Sequence, residues 1–428
     1  NKIAILTWFH YQNFGTALQA AALKNVLESA GYCVAHINYT PDGRVLALHG
    51  STSGWYSNKL HNLFKAVLHK TLIDSEKTKR YKQFIHDTLK LTQPCIIGAD
   101  FEYLNDKYGA FICGSDQIWA PTCFDSKYFL DFVHDTRRMV AYAPSIGLSS
   151  IDDKYVKKHM AELIGRFDHL SVREQRGAEL IRELCGKKAE VVLDPTMLLN
   201  AEDWNRLVPA VCDKPKRKPY VLCYFLGANE KHWHRVKQIS DELGISVKVL
   251  PIFVKDLQRG YDIVRGAGPM EFLDLVRNAA FVCTDSFHGT VFSLLFHKPF
   301  QVFERFKHDD PRSQNSRVYN LLNMTGIQWV LEDNQKICDR VYDWNDIEQR
   351  IGTARKHSID YLLDALRQAT SVQNSNEIYP LTKYCCGCGA CAAVCPNGAI
   401  KLTENDDGFL VQVFDENKCV KCGKCRKV

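Results

Sequence analysis

The chain has 428 residues, of which 46% are hydrophobic and 24% charged, and its formal net charge at pH 7 is +6. This length is enough for two or three domains, and the mild positive charge allows an anionic ligand but does not predict a nucleic-acid-binding surface. No apolar run approaches the roughly 18 residues of a membrane span, and the first residues lack a secretory signal, so we expect a cytoplasmic protein.

The first half of the chain alternates between apolar strands and amphipathic helices. A strand is predicted at residues 3–7, a helix at 15–30 that ends at Gly31, and a second strand at 34–39. This β-α-β opening indicates a parallel sheet. A further helix and four further strands are predicted at residues 60–72, 110–113, 139–143, 169–172 and 190–193.

The second half repeats this alternation after a basic connection at residues 214–219. Its strands are predicted at residues 220–225, 246–250, 281–284 and 300–303, and its helices at 230–243, 290–296 and 345–369. The sequence therefore predicts two Rossmann-like α/β domains that face a cleft, followed by a helix, a linker and a small module. The predicted boundaries are 1–200, 201–344, 345–370, 371–380 and 381–428.

The segment at residues 284–290 is the strongest candidate site in the body of the chain. An apolar strand ends at Thr284 and a helix begins soon afterwards, so the turn offers backbone N–H groups and a helix dipole to an anion. Asp285 or Ser286 can cap the helix, and the neighbouring Gly289 and Thr290 belong to the same turn. His288 could act as an acid or as a phosphate-binding cation, or it could simply pack locally.

Two arginines, Arg312 and Arg317, precede the next apolar helix. Guanidinium groups at a helix start suit a carboxylate or phosphate, because they bind planar oxyanions with two hydrogen bonds. A solvated loop is the alternative.

Two loops of the first domain also follow predicted strands, where open α/β sheets bind ligands. The loop at residues 9–17 has the single Gly15, which does not support a dinucleotide fingerprint, and its aromatic and amide content suits a sugar. Asp116, Gln117 and Trp119 would point into the same cleft, although Trp119 could instead pack at the edge of the core.

The last segment carries two runs of cysteines, Cys385, Cys388, Cys391 and Cys395, then Cys419, Cys422 and Cys425. This spacing is typical of ferredoxins with two [4Fe–4S] clusters, in which the fourth cysteine of a run ligates the other cluster. Cys395 can complete the second cluster. The first needs a cysteine beyond Val428 or the substitute Cys386, unless only one cluster forms. A zinc site and a disulfide framework are less suited to this spacing and to a large chain.

Five segments together resemble the polysaccharide pyruvyl transferase family over residues 1–330. They are residues 13–19, 114–119, 172–174, 193–196 and 284–289. The resemblance implies a GT-B-like fold, phosphoenolpyruvate as donor, and a nucleotide- or lipid-linked sugar of a capsule or exopolysaccharide precursor as acceptor. The product would be a pyruvate ketal. The tail separately resembles dicluster ferredoxins, which implies a redox partner.

The hypothesis for this reaction assigns each candidate a role. His288, oriented by Asp285, would be the general acid; Asp116 would deprotonate a sugar hydroxyl; residues 286–290 would hold phosphate, and Arg312 or Arg317 the carboxylate. The remaining acceptor-side candidates are Asn13, Gly15, Gln19, Ser115, Gln117 and Trp119. The rival interpretation is an iron–sulfur electron-transfer protein or oxidoreductase with an α/β substrate-binding body, although no flavin or NAD fingerprint supports it.

Overall fold

A computed structural model describes residues 1–10, 12–39, 75–95, 98–208, 218–307, 310, 313–331, 336–371, 386–405, 408–420 and 424–426. The chain divides into two compact units, Asn1–Ala369 and Thr370–Val428. The predicted helix at residues 60–72 lies outside the described residues, as do nearly all of the predicted linker and three predicted site residues, Arg312, Cys385 and Cys422.

The first sheet has seven parallel strands in the order β3-β2-β1-β4-β5-β6-β7. The strands are β1 Lys2–Leu6, β2 Cys33–Tyr39, β3 Leu91–Cys95, β4 Ala110–Gly114, β5 Met139–Tyr142, β6 His169–Val172 and β7 Glu190–Val191. The helices are α1 Phe14–Ser29, α2 Ser75–Thr88, α3 Glu102–Lys107, α4 Lys154–Ile164, α5 Gln175–Cys185 and α6 Ala201–Leu207. Every residue of β4 and β5 is buried, as expected for central strands that helices cover on both faces.

The second sheet has five parallel strands in the order β10-β9-β8-β11-β12. The strands are β8 Tyr220–Tyr224, β9 Ser246–Val249, β10 Asp262–Ile263, β11 Phe281–Thr284 and β12 Phe300–Val302. The helices are α7 Glu230–Leu243, α8 Pro269–Asn278, α9 Phe287–Leu295, α10 Ser316–Thr325 and α11 Trp344–Ser371. The predicted α/β class with parallel sheets is confirmed. Strands β3 and β10 were not predicted, since β3 contains Pro94 and is largely exposed and β10 has only two residues.

The strand order of each sheet reverses beside its first strand, between β1 and β4 and between β8 and β11. Loops that leave neighbouring strands in opposite directions open a crevice at such a point, and ligands of open α/β sheets bind there. The structure therefore has two crevices, one for each sheet.

Helix α1 joins the two sheets through a shared hydrophobic core. Phe14, in its first turn, stacks on Phe272 of α8 with ring centroids 4.6 Å apart and an interplanar angle of 5°, and it also contacts Tyr81 and Tyr224. One hydrophobic cluster includes residues of α1, α2, α8 and α9. Helix α11 returns to the first sheet, where Leu362 and its neighbours pack with β1.

The second compact unit contains a short helix, α12 (Ala390–Ala393), and an antiparallel hairpin of β13 (Ile400–Glu404) and β14 (Leu410–Phe414). The turn Lys424–Arg426 packs against α12. Among the described residues, no helix is both long and apolar enough to cross a membrane.

We predict that Phe14→Ala lowers the free energy of unfolding by about 3–5 kcal/mol, because it removes a buried ring from the core that both sheets share. Urea unfolding followed by circular dichroism measures this change. Tyr155→Ala is the control, since Tyr155 is 62% exposed and should have little effect. Equal unfolding midpoints for the two variants would contradict the assigned role of Phe14.

Candidate functional site

A cleft lies where the crevices of the two sheets meet. The loops after β1, β4, β8, β11 and β12 form its walls together with the start of α10. Its polar lining residues include Asn13, Asp116, Gln117, Asp285, Ser286, His288, Glu304, Arg305, Gln314, Arg317 and Tyr319. The structure thus brings together candidate residues from both halves of the chain. The sequence analysis had placed these residues in loops that follow predicted strands.

His288 lies in the first turn of α9 rather than in the turn before it. The helix begins earlier than predicted because the Ser286 side chain caps it by accepting from Gly289 N. The imidazole packs against the start of α1, where a Cβ added to Gly15 would be 1.8 Å from His288 Nδ1. His288 Nε2 is buried, and within the described chain it has no hydrogen-bond partner. The close packing against Gly15 therefore holds this ring in place.

The carboxylate that faces His288 is Asp194, whose Oδ1 lies 3.6 Å from His288 Nε2. Asp194 also forms a 2.6 Å ion pair with Arg173, and its side chain is 0% exposed. Burial raises the pKa of Asp194, but His288 and Arg173 outweigh burial and hold this pKa well below its usual range. Asp194 is therefore a fixed negative charge behind the imidazole.

Asp285 does not orient His288, contrary to the hypothesis. Its two carboxylate oxygens accept from the backbone N–H groups of Leu226 and Gly227 at 2.6 and 2.8 Å. Burial raises the pKa of Asp285, and these two hydrogen bonds oppose the increase. Asp285 therefore fixes the loop after β8, and the carboxylate beside the imidazole of His288 is that of Asp194.

Two guanidinium groups converge at the opposite wall of the cleft. Gln314 Oε1 accepts from Arg305 Nη2 at 2.8 Å and from Arg317 Nη2 at 2.9 Å. Burial, together with the nearby Arg173 and Arg305, lowers the pKa of Arg317 to about 9. Cations crowded in this way favour an anion between them.

Helix α9 begins at the same wall. Ser286 occupies two of its first four N–H donors, since its Oγ accepts from Gly289 N and its carbonyl oxygen from Thr290 N. In the part of the chain that the structure describes, Phe287 N and His288 N are left for a ligand. The helix start therefore adds donors and a favourable dipole to the arginines.

The loops of the first sheet supply the third wall. Asp116 Oδ2 accepts from Thr16 Oγ1 at 2.6 Å, and its Oδ1 accepts from Gln117 N at 2.9 Å. Asp116 has a φ of +63°, a left-handed conformation that is uncommon outside glycine and concentrates at functional sites. Asn13 Oδ1 caps α1 by accepting from Gly15 N. Asn13, Asp116 and Gln117 remain candidates for contact with an acceptor.

Several predicted ligand-binding residues do not line the cleft. Trp119 is 0% exposed, stacks on Phe129 and donates to Tyr128 O, so it packs in the core. Gln19 is also 0% exposed, and its amide holds the loop after β1 through the Thr7 hydroxyl and backbone carbonyls. Both side chains make their contacts within the protein and do not line the cleft, so we assign them no contact with a ligand. Ser115 and Thr290 are excluded as ligand-binding side chains for the same reason. Their hydroxyls are within hydrogen-bond distance of Ala143 O and Ser286 O, and neither residue lines the cleft.

The two glycines among the candidates serve close packing. A Cβ at Gly289 would be 2.3 Å from Thr284 Oγ1, and Gly15 leaves room for His288. Neither glycine lines the cleft.

The sequence analysis assigned no role to Arg173, Asp194, Arg305 or Gln314. Arg173 directly follows β6, and Asp194 lies shortly after β7, which ends at Val191; both lie in segments that carry the family resemblance. Position at the carboxyl end of a parallel strand was therefore the available signal. Arg305 lies as close to the end of β12 as Asp194 does to the end of β7, so the same signal was available for it, whereas Gln314 does not follow a strand closely.

The tail has features that suit an iron–sulfur cluster. Ala399 N donates to Cys395 Sγ at 3.2 Å, and backbone N–H groups lower the pKa of Cys395 and, together with Cys386, that of Cys388. Such N–H groups stabilise thiolates, which are the ligands of these clusters. Within the described residues, no three His, Cys, Asp or Glu side chains form a metal-binding group, but two of the predicted ligands, Cys385 and Cys422, lie outside them.

Several solved structures resemble this chain at low sequence identity. UDP-GlcNAc 2-epimerase from Neisseria meningitidis bound to UDP-GlcNAc has 9% identity and a TM-score of 0.41, over 85% of this chain and 100% of that one. MnaA of S. aureus with UDP has 15% identity and a TM-score of 0.44, over 86% and 98%. The E. coli heptosyltransferase WaaC with ADP has 13% identity and a TM-score of 0.32, over 73% and 89%.

No curated protein matches the chain. The 4Fe-4S dicluster domain family matches residues 384–428, in agreement with the cysteine spacing. The family described as polysaccharide pyruvyl transferase matches residues 13–305, which is more than half of the chain and includes the cleft residues Asn13, Asp116, His288 and Arg305. The chain therefore belongs to the polysaccharide pyruvyl transferase family and carries a 4Fe-4S dicluster domain.

Proposed function

We propose that this protein transfers a pyruvyl group from phosphoenolpyruvate to two hydroxyls of a sugar in a polysaccharide precursor, forming a pyruvate ketal. The observation that carries the proposal is the convergence of Arg305 and Arg317 on Gln314, beside the start of α9 and His288. This arrangement combines anion-binding groups with an imidazole that could exchange a proton. The family match supports the same reaction class.

The donor would bind along the second sheet, residues 201–344. Its phosphate would accept from Phe287 N and His288 N, and Arg305 would neutralise its charge. Its carboxylate would pair with Arg317, which is 8% exposed and so forms strong contacts in a poorly solvated site. This orientation would place the methylene carbon on the side of His288.

The acceptor would bind along the first sheet, residues 1–200. Asn13 and Gln117 line the cleft there and can hydrogen-bond sugar hydroxyls. Asp116 would accept the proton of an attacking hydroxyl, and its bond from Thr16 holds the carboxylate in position.

The reaction conserves electrons and needs no redox step. His288 donates a proton to the methylene carbon, which becomes a methyl group, and the first sugar hydroxyl forms a C–O bond to the cationic carbon as it loses its own proton. The second hydroxyl then forms the other C–O bond to the same carbon as the C–O bond to phosphate breaks. The released phosphate takes up the proton that the second hydroxyl loses. Asp194 would stabilise the protonated imidazole, since it is a fixed negative charge 3.6 Å from Nε2.

The residues of the tail suit [4Fe–4S] clusters, with Cys388, Cys391, Cys395, Cys419 and Cys425 as ligands among the described residues. Such a cluster supplies one-electron transfer, which pyruvyl transfer does not use. The module would therefore serve a redox partner or a regulatory purpose separate from the cleft.

We expect His288→Ala to lower the rate of phosphate release from phosphoenolpyruvate and a sugar acceptor by about two to four orders of magnitude, because the variant lacks the proton donor. His288→Gln should behave similarly, since an amide cannot donate a proton usefully. Donor affinity should fall much less than turnover. Steady-state phosphate release and calorimetric donor binding measure the two quantities.

The control for this variant is His86→Ala, whose side chain is 86% exposed on α2 and should leave turnover unchanged. Near-normal turnover in folded His288→Ala protein would remove His288 from the mechanism.

Arg305→Gln should weaken phosphoenolpyruvate binding by about 10- to 100-fold, because it removes a charge-assisted contact to the phosphate. The loss should be smaller at high salt than at low salt. Arg350→Gln is the matched control, since Arg350 lies on α11, has a side chain that is 49% exposed and pairs with Asp346. Unchanged donor affinity in the Arg305 variant would place the phosphate elsewhere.

Anaerobically prepared protein should contain iron and acid-labile sulfide in equal amounts, and Cys395→Ser should lower both, because the sulfur that Ala399 N stabilises is lost. Cys123→Ser, in the body of the chain, is the control and should retain the full metal content. Zinc without sulfide would refute cluster binding.

A further inference from the structure

A second cavity lies behind Phe287 and Arg317, which line the first cleft as well. It is formed by the end of β7, by α10 and by α11. Its walls are largely apolar and include Val192, Leu193, Met197, Leu321, Met324 and Ala354. The proposed reaction assigns no function to this space.

The polar groups that this cavity leaves unpaired are hydrogen-bond donors. Arg173 is 6% exposed, and its Nη1 donates to Asp194, but within the described chain its buried Nε and Nη2 have no hydrogen-bond partner. The buried Nδ2 of Asn320 likewise has no hydrogen-bond partner among the described residues. Arg173 lines this cavity and does not line the first cleft. Buried donors without acceptors are costly, so they indicate a ligand with acceptor oxygens.

The neighbouring carboxylates do not satisfy these donors. Asp194 already accepts from Thr196 N and Oγ1 on one oxygen. Its other oxygen accepts from Arg173 and lies 3.2 Å from the Ser115 hydroxyl. Asp116 Oδ1 is 4.0 Å from Arg173 Nη2, which is beyond hydrogen-bond distance. Arg317 supplies a second guanidinium group to the lining of the same cavity. Asp194 balances the charge of Arg173, but no carboxylate of the described chain forms an ion pair with Arg317, so a ligand that complements this cavity would carry negative charge.

We propose that this second cavity binds a small carboxylate, whose oxygens accept from Arg173, Arg317 and Asn320 and whose carbon skeleton lies among the apolar walls. A sugar ring or a nucleotide would leave many polar groups unpaired against these walls. The carboxylate has two conceivable sources. It is either the carboxylate of phosphoenolpyruvate that reaches past Phe287, which rests on the proposed function, or that of a separate small carboxylic acid.

Binding of pyruvate to the full chain tests the proposal, measured by saturation-transfer NMR and calorimetry. Asn320→Asp removes a donor and places a negative charge beside the carboxylate, so the dissociation constant for pyruvate should rise about tenfold or more. Asn323→Asp is the matched control, because it makes the same change in charge one turn along α10 at an exposed position and should bind normally. Met324→Trp, which fills the cavity, should also abolish binding.

Competition decides the source of the carboxylate. If phosphoenolpyruvate displaces pyruvate, the cavity receives the carboxylate of the donor; if both bind at once, it receives a separate acid. No pyruvate binding to the wild-type protein, or binding that Asn320→Asp and Met324→Trp leave unchanged in folded protein, would overturn the proposal. Failure to release phosphate with any sugar acceptor would refute only the proposed function, because pyruvate binding does not depend on turnover.

Discussion

The ion pair between Arg173 and Asp194 is the interaction on which the geometry of the site depends. Parallel strands β6 and β7 end side by side, with Val172 paired to Val191, and so deliver the two residues to one edge of the sheet. Their side chains are 2% and 0% exposed, so each charge relies on the other. Removing one partner of such a pair costs about 3–5 kcal/mol, although the intact pair adds little net stability. Its contribution is to fix where the neighbouring groups lie.

Other contacts anchor this pair to both sheets. The Ser115 hydroxyl after β4 is within hydrogen-bond distance of Asp194, and Arg173 lies over the ring of Phe287, 4.5 Å from its centroid. The next residue, Glu174, accepts from Ser145 Oγ and from the backbone of Ile146 and Gly147, which holds the loop after β5. The shared core around Phe14 keeps the sheets together. The cleft is thus a preformed site, and its unpaired donors are the part that a ligand would complete.

The sequence predicted the strand–helix alternation well, because buried parallel strands are continuous apolar runs and the helices end at glycine or begin at a capping residue. It also placed His288, Asp116 and Arg317 near one cleft, since loops at the carboxyl ends of strands converge. It could not distinguish Trp119 from a ligand-binding tryptophan, because an aromatic residue after a strand suits either role. The carboxylate partner of His288 could not be predicted from the sequence either. Asp194 is 94 positions away in the sequence, and the packing of the two sheets brings it near His288.

The close contact between Gly15 and His288 has a consequence for how this enzyme can be recombined with its relatives. The second sheet carries the imidazole, whereas the first sheet provides the space for it, since a Cβ at position 15 would be 1.8 Å from Nδ1. In a recombined protein, residues 15 and 288 must therefore come from the same parent sequence. A chimera that takes its first half from a relative with any side chain at this position would displace the imidazole, however well each half folds by itself.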